Sequence, residues 1–516
     1  MRKWLPLIAV CLGAFMLLVD VTIVTVALPD MATSLHTTFA DLQWVIDGYA
    51  LALAALLLGA GSLADLVGRR RVYVAGLVMF AVASLACGLA SGPGQLIAFR
   101  ALQGVGGAAM FATTMALLSH AYQGRDRGVA FGVWGAVNGA AAAAGPIVGG
   151  LLTEHLDWRW IFWVNLPVSV VAVAVTLRVV KESRNPHAAG VDLPGTVSFT
   201  LAAGSVTYAL IKTGDNGWGS TTTLGLFGFG ALALLAFVLI EARSSRPMLD
   251  LRLFRSPSFV GIMIGGLLLS AAAFAYLVYA SLWLQSVRGM GPVTAGLALV
   301  PMSVLAFLTA GIGGRRLHGV PPRLTIGGGL LLIGAGALLQ AVIGPDSGWS
   351  VLAAGLAVSG VGVGLATPAM AAAAMAAVPP ARAGMAGGAL NTARQLGHAL
   401  GIALLGAVFQ AGLTRSLEHG TGTGTGDPHG TAQALSGGQA GAVVARAADG
   451  ARPAVEHLVR TAFADGLRDT FLVSGAFGLA GGVLVLLMLR RPAAPAGAPA
   501  GDPAATLVGD PTGARH

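Results

Sequence analysis

The chain has 516 residues, of which 55% are hydrophobic and only 10% charged, with a mean hydropathy of +0.77. A soluble domain carries about 25% charged residues, so too little polar chain is present to cover a water-facing surface, and a set of soluble domains is excluded. The formal net charge of +9 lies in short loops without aromatic interleaving, which is the positive-inside excess of a membrane protein and not a nucleic-acid surface.

Arg2 and Lys3 precede an apolar run that imitates a secretory signal. The run continues to Leu28, beyond the 7–15 apolar residues of such signals, and Asp20 interrupts it. It is therefore expected to be a first transmembrane helix, 5–28, carrying a polar group. Cys11 and Cys87 fall inside apolar segments and read as inert packing residues, with no disulfide or metal framework. A spanning helix needs about 20 apolar residues. Segments bounded by Pro, Gly or charge predict further spans at 43–64, 72–90, 95–118, 128–152, 160–179, 193–212 and 221–241. Six more follow at 258–284, 292–312, 324–344, 349–376, 384–411 and 467–489. The expected fold is all-α, with fourteen transmembrane helices. A long loop, 412–466, is Gly/Thr-rich from Gly420 to Gly426 and then mildly helical, and reads as a flexible external excursion. The Pro/Ala/Gly-rich tail, 491–516, is expected to be disordered.

Orientation follows from counting basic residues in alternate loops. One side holds Arg2, Lys3, Arg69, Arg70, Arg71, Arg125, Arg127, Arg178, Lys181 and Arg184. It also holds Arg243, Arg246, Arg252, Arg255, Arg315, Arg316, Arg323, Arg382, Arg490 and Arg491, while the opposite short loops hold Arg159, Lys212 and Arg288. Twenty against three assigns the first side, and both termini, to the cytoplasm.

Two repeats divide the chain. Gly61-Ser-Leu-Ala-Asp-Leu-Val-Gly-Arg-Arg-Arg after the second helix is echoed by Gly313-Gly-Arg-Arg after the tenth. Gly104-Val-Gly-Gly in the fourth helix is echoed by Gly360-Val-Gly-Val in the twelfth. Internal repeats of this kind mark secondary transporters. The expected domains are a six-helix bundle over 1–185, a linker with a two-helix hairpin (helices 7–8) over 186–250, and a second six-helix bundle over 251–490.

The residues resemble the fourteen-spanner drug:proton antiporter branch of the major facilitator superfamily, over nearly the whole chain. Gly61 to Arg71 is similar to the superfamily's signature loop, Arg100-Ala-Leu-Gln-Gly-Val-Gly-Gly to its helix-4 motif, and Gly145-Pro-Ile-Val-Gly-Gly to the helix-5 antiporter motif. The runs Leu18 to Pro29, Asp157 to Pro167 and Arg382 to Gly401 are typical of the fourteen-helix branch. The resemblance implies a plasma-membrane exporter of lipophilic drugs or antibiotics, driven by inward protons through alternating access, without cofactor and acting as a monomer. The competing readings are a metabolite permease without proton coupling and a non-transporting membrane sensor.

Ionisable residues within spans are functional candidates. Asp20 lies about 22 Å into its helix and Asp47 about 7 Å into the second from the far side, with Arg100 at a similar depth in the fourth. Asp20 and Arg100 form either a structural ion pair or a proton-exchanging carboxylate whose proton affinity Arg100 governs. The resemblance favours the second and makes Asp20 the first candidate, with Asp47 next. Gly61 and Gly68 permit close approach while Asp65, Arg69 and Arg70 supply a charged latch at a helix end; by resemblance the latch acts against the opposite bundle. Gly145 and Pro146 read as a kink or gating hinge, with Gly149 and Gly150 part of the same antiporter-like hinge motif. Gln103, Asn138, Gln285, Gln340, Arg394 and His398 are possible cavity groups, though His398 also reads as a packing histidine. No Gly-Lys dipeptide, His-Glu-x-x-His motif or nucleophile elbow occurs, so no ATP-driven pump, metalloenzyme or hydrolase is expected. The absence of embedded Asp or Glu in the last six helices argues against strong selectivity for divalent cations.

Overall fold

The computed structural model describes residues 2–184, 190, 192–244, 247–316, 320–378, 383–419 and 427–489. No strand occurs among them. The first helices are α1 (Leu5–Leu35), α2 (Phe39–Val67), α3 (Arg69–Gly88), α4 (Pro93–Ala121) and α5 (Gly124–His155). There follow α6 (Trp160–Trp163), α7 (Asn165–Val179), α8 (Leu193–Asn216) and α9 (Thr221–Arg243). The remainder comprises α10 (Pro257–Ala273), α11 (Leu277–Ser286), α12 (Pro292–Arg316), α13 (Pro322–Gln340) and α14 (Ser350–Ala376). Last come α15 (Ala383–His419), the short α16 (Pro428–Ser436) and α17 (Ala440–Ala445), and α18 (Arg452–Met488). Local signals set the ends. Thr38 and Asp41 form a reciprocal capping box at α2, and prolines open α4, α8, α10 and α18 where a backbone donor is not needed.

Twelve spans among the described residues are long and apolar enough to cross a membrane, with α6–α7 and α10–α11 each counted as one. Two other helices match them in length. One is α5, 32 residues and rich in Gly and Ala; the other is α8, 24 residues and interspersed with Ser and Thr. In α8 the hydroxyls of Thr196, Ser198, Thr200 and Ser205 donate to carbonyls four residues back, which satisfies them without water.

The same set of helix pairings occurs twice. Before residue 185, α1 packs on α5 and α7, α4 on α2 and α3, and α3 on α7. After residue 250, α10 packs on α15 and α18, α14 on α12 and α13, and α13 on α18. The two sets meet along α2–α15 and α5–α12, while α8 and α9 pair with each other and α8 lies against α2 and α15.

Two expectations need correction. The helix expected over 258–284 breaks between Ala273 and Leu277, where Ser474 of α18 donates to the Ala272 carbonyl at 2.6 Å. A neighbouring hydroxyl thus satisfies backbone that the break frees. The loop expected over 412–466 is also far more helical, because α15 and α18 each run 37 residues. Their extended ends are zipped by Arg415–Asp469 (3.1 Å) and Ser416–Asp465 (2.8 Å), and they bury Leu413, Leu417, Val455 and Val459. Over this end α16 packs on α15 and α2, burying Ala432 and Leu435. The Gly/Thr run 420–426 and the tail 491–516 lie outside the described residues.

Candidate functional site

Asp20 and Arg100 meet as the sequence suggests, joined by Gln103, inside the first set of helices. The Asp20 carboxylate accepts from Arg100 Nη1 at 2.6 Å, from Gln103 Nε2 at 2.9 Å and from Asn165 Nδ2 at 2.9 Å. Ser84 Oγ accepts from both Gln103 and Asn165. Asp20 is 0% and Arg100 1% exposed. Both Asp20 oxygens, the Gln103 carbonyl and the Ser84 hydroxyl oxygen all accept, and four helices supply the members. Asn165 and Ser84 escaped the sequence reading, since a neutral polar residue in an apolar run carries no sign of which charge it serves. Gln103, expected in a cavity, belongs here.

Arg100 also reaches out of the cluster. Its Nε donates to the Val45 carbonyl at 3.0 Å, and its guanidinium lies 4.3 Å from the centre of the Tyr49 ring. Both residues belong to the segment of α2 that carries Asp47. A cation over an aromatic face contributes about 2 kcal/mol when desolvated, so the pair holds this stretch of α2 in place.

Asp47 is built differently. It is 0% exposed, and neither carboxylate oxygen has a hydrogen-bond partner. It lies close enough to Tyr279 of α11 to act on it electrostatically. One turn earlier on the same face, Gln43 donates to the Tyr279 hydroxyl (3.2 Å) and to the Ile402 carbonyl (3.3 Å) of α15. Asp47 therefore lies on the face of α2 that Gln43 turns toward Tyr279 and Ile402, beside the seam between the two sets. A charge buried there without a partner costs several kcal/mol, which falls away when a proton or a cationic guest neutralises it. His398, buried, lies one turn from Ile402 on α15. One turn further, Arg394 has a buried Nε without a partner and lays its stem against Gly266 of α10.

The other expected residues are dispersed. Arg69 pairs with Asp65 through Nε at 2.9 Å and Nη2 at 2.8 Å. Glu182 caps α3, accepting from Arg70 N (3.0 Å) and Arg71 N (3.2 Å). Gly68 has φ of 127°, and a Cβ there would lie 2.8 Å from the Glu182 carboxylate. The partners of this loop among the described residues come from its own side of the chain. Gly61 has room for a side chain. In α5, Gly145 and Gly149 let the helix close on Thr22 and Ile23 of α1; a Cβ at Gly150 would lie 2.6 Å from Val293 Cα of α12. Pro146 presents its carbonyl to Gly296, and Glu154 accepts from Val293 N at 3.0 Å. The antiporter-like glycines thus build the α5–α12 seam. Gln285 bridges the sets by donating to the Val26 carbonyl at 3.0 Å. The side chain of Asn138 lies outside the described residues.

A second polar knot lies on α11, α13 and α14. Gln340 donates to the Tyr276 hydroxyl at 3.2 Å, and Tyr276 also hydrogen-bonds Ser359. Tyr276, Gln340 and Ser359 each stand 256 residues after Asp20, Ser84 and Gln103. The repeat therefore reproduces the knot without its ion pair.

Comparison with known proteins accords with this geometry. Residues 10–402 match the family model of the Major Facilitator Superfamily. The multidrug resistance protein Stp of Mycobacterium tuberculosis is 37% identical over 80% of this chain and 77% of that protein. The tetracenomycin C resistance and export protein of Streptomyces glaucescens is 34% identical, over 79% and 76%. The puromycin resistance protein pur8 of Streptomyces alboniger is 36% identical, over 81% and 84%. Among solved structures, a bacterial homologue of the human lysosomal transporter Spinster, in an inward-facing and unoccupied conformation, aligns over 95% of this chain and 99% of its own with TM-score 0.61 at 17% identity.

Proposed function

Because the chain belongs to the Major Facilitator Superfamily, we propose that it exports lipophilic drugs or antibiotics across the bacterial plasma membrane by alternating access, in exchange for protons. Relatives named for multidrug resistance and for antibiotic resistance and export support the direction and the substrate class. Counting α5 and α8 as spans gives fourteen helices. The doubled pairing pattern supports two six-helix units, 1–185 and 251–490, with α8–α9 as the hairpin of 186–250. The basic loops orient both termini to the cytoplasm.

In this reading Asp47 is the exchanging carboxylate, and the Asp20–Arg100 pair positions it through Val45 and Tyr49. That reverses the order in which the sequence ranked the two acids. The observation that carries it is the pair of buried, unpartnered Asp47 oxygens beside the seam, against the saturated acceptors of Asp20. A group that must release its proton to a guest needs a vacant coordination sphere. Asp20 would have to shed three donors first. Gln43, Tyr279 and His398 supply polar contacts around the same guest, while the latch Gly68 to Arg71 and the α5–α12 seam are the parts that change partners as the units rock.

The test is substrate-induced proton release from detergent-purified protein, together with dye export from everted vesicles. Asp47→Asn keeps the size of the side chain and removes its titration, so release and proton-driven export both disappear while substrate still binds. Full release and export in Asp47→Asn, with both lost in a folded Asp20→Asn, would move the exchange to Asp20. Export insensitive to a protonophore would favour an uncoupled permease.

A further inference from the structure

The α8–α9 hairpin takes no part in that reading, yet it carries two acidic groups that meet. Asp192 caps α8, its Oδ1 accepting from Gly195 N at 2.8 Å, while its Oδ2 is buried without a partner. Glu241, in the last turn of α9, is 3% exposed. Its Oε2 accepts from Leu249 N at 3.2 Å, and its Oε1 is buried without a partner. The two vacant oxygens converge on one point, because a Cβ at Gly195 would lie 2.7 Å from Glu241 Oε1 and 3.0 Å from Asp192 Oδ2. Asp192 is the charged group that acts on Glu241; α2 and α15, which pack on α8, bring none to it among the described residues. Nearby Arg243, Arg252 and Arg255 are exposed, and Asp250 is occupied as the cap of Arg252 N.

We propose that Asp192 and Glu241 hold a single proton between them, forming a pH-sensitive clasp that ties the hairpin to the segment leading into α10. Two carboxylates facing each other out of water cannot both stay charged without a large repulsion, and one shared proton converts the repulsion into a hydrogen bond. The occupant is a proton and not a metal ion, since both vacant oxygens are buried, whereas magnesium or calcium held by two carboxylate oxygens would need several waters beside them to fill its shell. The clasp has a mechanical consequence. Glu241 holds the Leu249 backbone, and Leu249 and Met248 are buried against the hairpin, where the Thr196 hydroxyl donates to the Met248 sulfur at 3.5 Å. When pH rises and the proton leaves, both groups are charged and the Leu249 tether loosens. On the charge-count orientation this end faces the cytoplasm, so the group reads cytoplasmic alkalinity, separately from any exchange at Asp47.

Thermal unfolding of the purified full chain in detergent, followed against pH, tests this without a transport assay. The wild-type Tm falls by roughly 3 °C between about pH 5 and pH 8, the interval in which the unfolded chain has lost the proton and the folded chain still gives it up. In Glu241→Gln the amide donates to Asp192 permanently while its oxygen keeps Leu249, so the alkaline loss disappears; Asp192→Asn behaves alike. Parallel profiles in wild type and Glu241→Gln overturn the clasp. Recovery of the wild-type Tm at alkaline pH on adding magnesium or calcium chloride alone, abolished in Glu241→Gln, overturns the proton in favour of a cation. If both variants fail to fold, a wild-type profile without alkaline loss is sufficient to reject it.

Discussion

Removing the Arg100 side chain strips Asp20 of its counter-charge, Val45 of its donor and Tyr49 of its cation at once. Breaking a buried ion pair from one side costs about 3–5 kcal/mol, whereas replacing both partners by neutral groups of similar volume is often close to neutral. The Tyr276–Gln340–Ser359 knot is this chain's own neutral version of the same three-helix junction. Arg100→Ala is therefore expected to lower stability by about 3–5 kcal/mol, and Asp20→Asn/Arg100→Gln to recover most of that loss. Thermal unfolding in detergent measures both. A double variant as unstable as Arg100→Ala would mean the charges themselves hold the junction. At this scale the sequence named the ion pair, because opposite charges at matching depth in apolar helices have few other partners. It ranked Asp47 second because depth alone does not tell a vacant carboxylate from a solvated one; that difference comes from Gln43 and Tyr279, which meet across the seam between two distant parts of the chain.

Helix starts were legible to within two residues where Pro marks them, as at Pro93 and Pro257, whereas the Thr38 cap went unread and α2 begins four residues before the expected 43. The break before Leu277 was not legible, because its cause is a hydroxyl 202 residues away, Ser474, and no local breaker stands there. The extended ends of α15 and α18 were only partly legible for a similar reason: the ion pair and the hydrogen bond that zip them link positions about fifty residues apart. The glycines of α5 were legible as an antiporter-like hinge motif, but not as packing positions, nor which helix each one serves. Gly145 and Gly149 serve α1; Gly150 serves α12. Gly150→Val should consequently open the α5–α12 seam without disturbing the α1 contact. An overpacked contact of this kind costs about 1–3 kcal/mol. Labelling a cysteine placed at Gln285 with a membrane-impermeant maleimide from outside is expected to become several-fold faster, against a low background from the buried Cys11 and Cys87. Unchanged labelling would show that the seam is not part of the external closure.

For the molecule as a whole, the sequence conveyed the repeat, since glycine spacing survives without knowledge of contacts, and loop charge supplies an expected sidedness. The number of crossings is the quantity still at stake, and it turns on α5 and α8. Dropping both from the fourteen leaves twelve spans and returns both termini to the same side, so fusions at the ends of the chain cannot separate the two topologies. The middle can. Without α5 as a crossing, the loop that holds Arg178, Lys181 and Arg184 moves to the outside, against the excess of basic residues that marks the cytoplasmic short loops. With α5 crossing, α8 must cross as well to bring Arg243 and Arg246 back to the cytoplasm after α9. A reporter fused at Arg184 is therefore the decisive position: a cytoplasmic signal there, with an external one at Trp218 and a cytoplasmic one at Ser244, is the fourteen-span result. An external signal at Arg184 would remove α5 from the membrane. The Gly145–Gly150 seam would then lose its place as a gate, because a gate between two bundles needs both of its helices to cross.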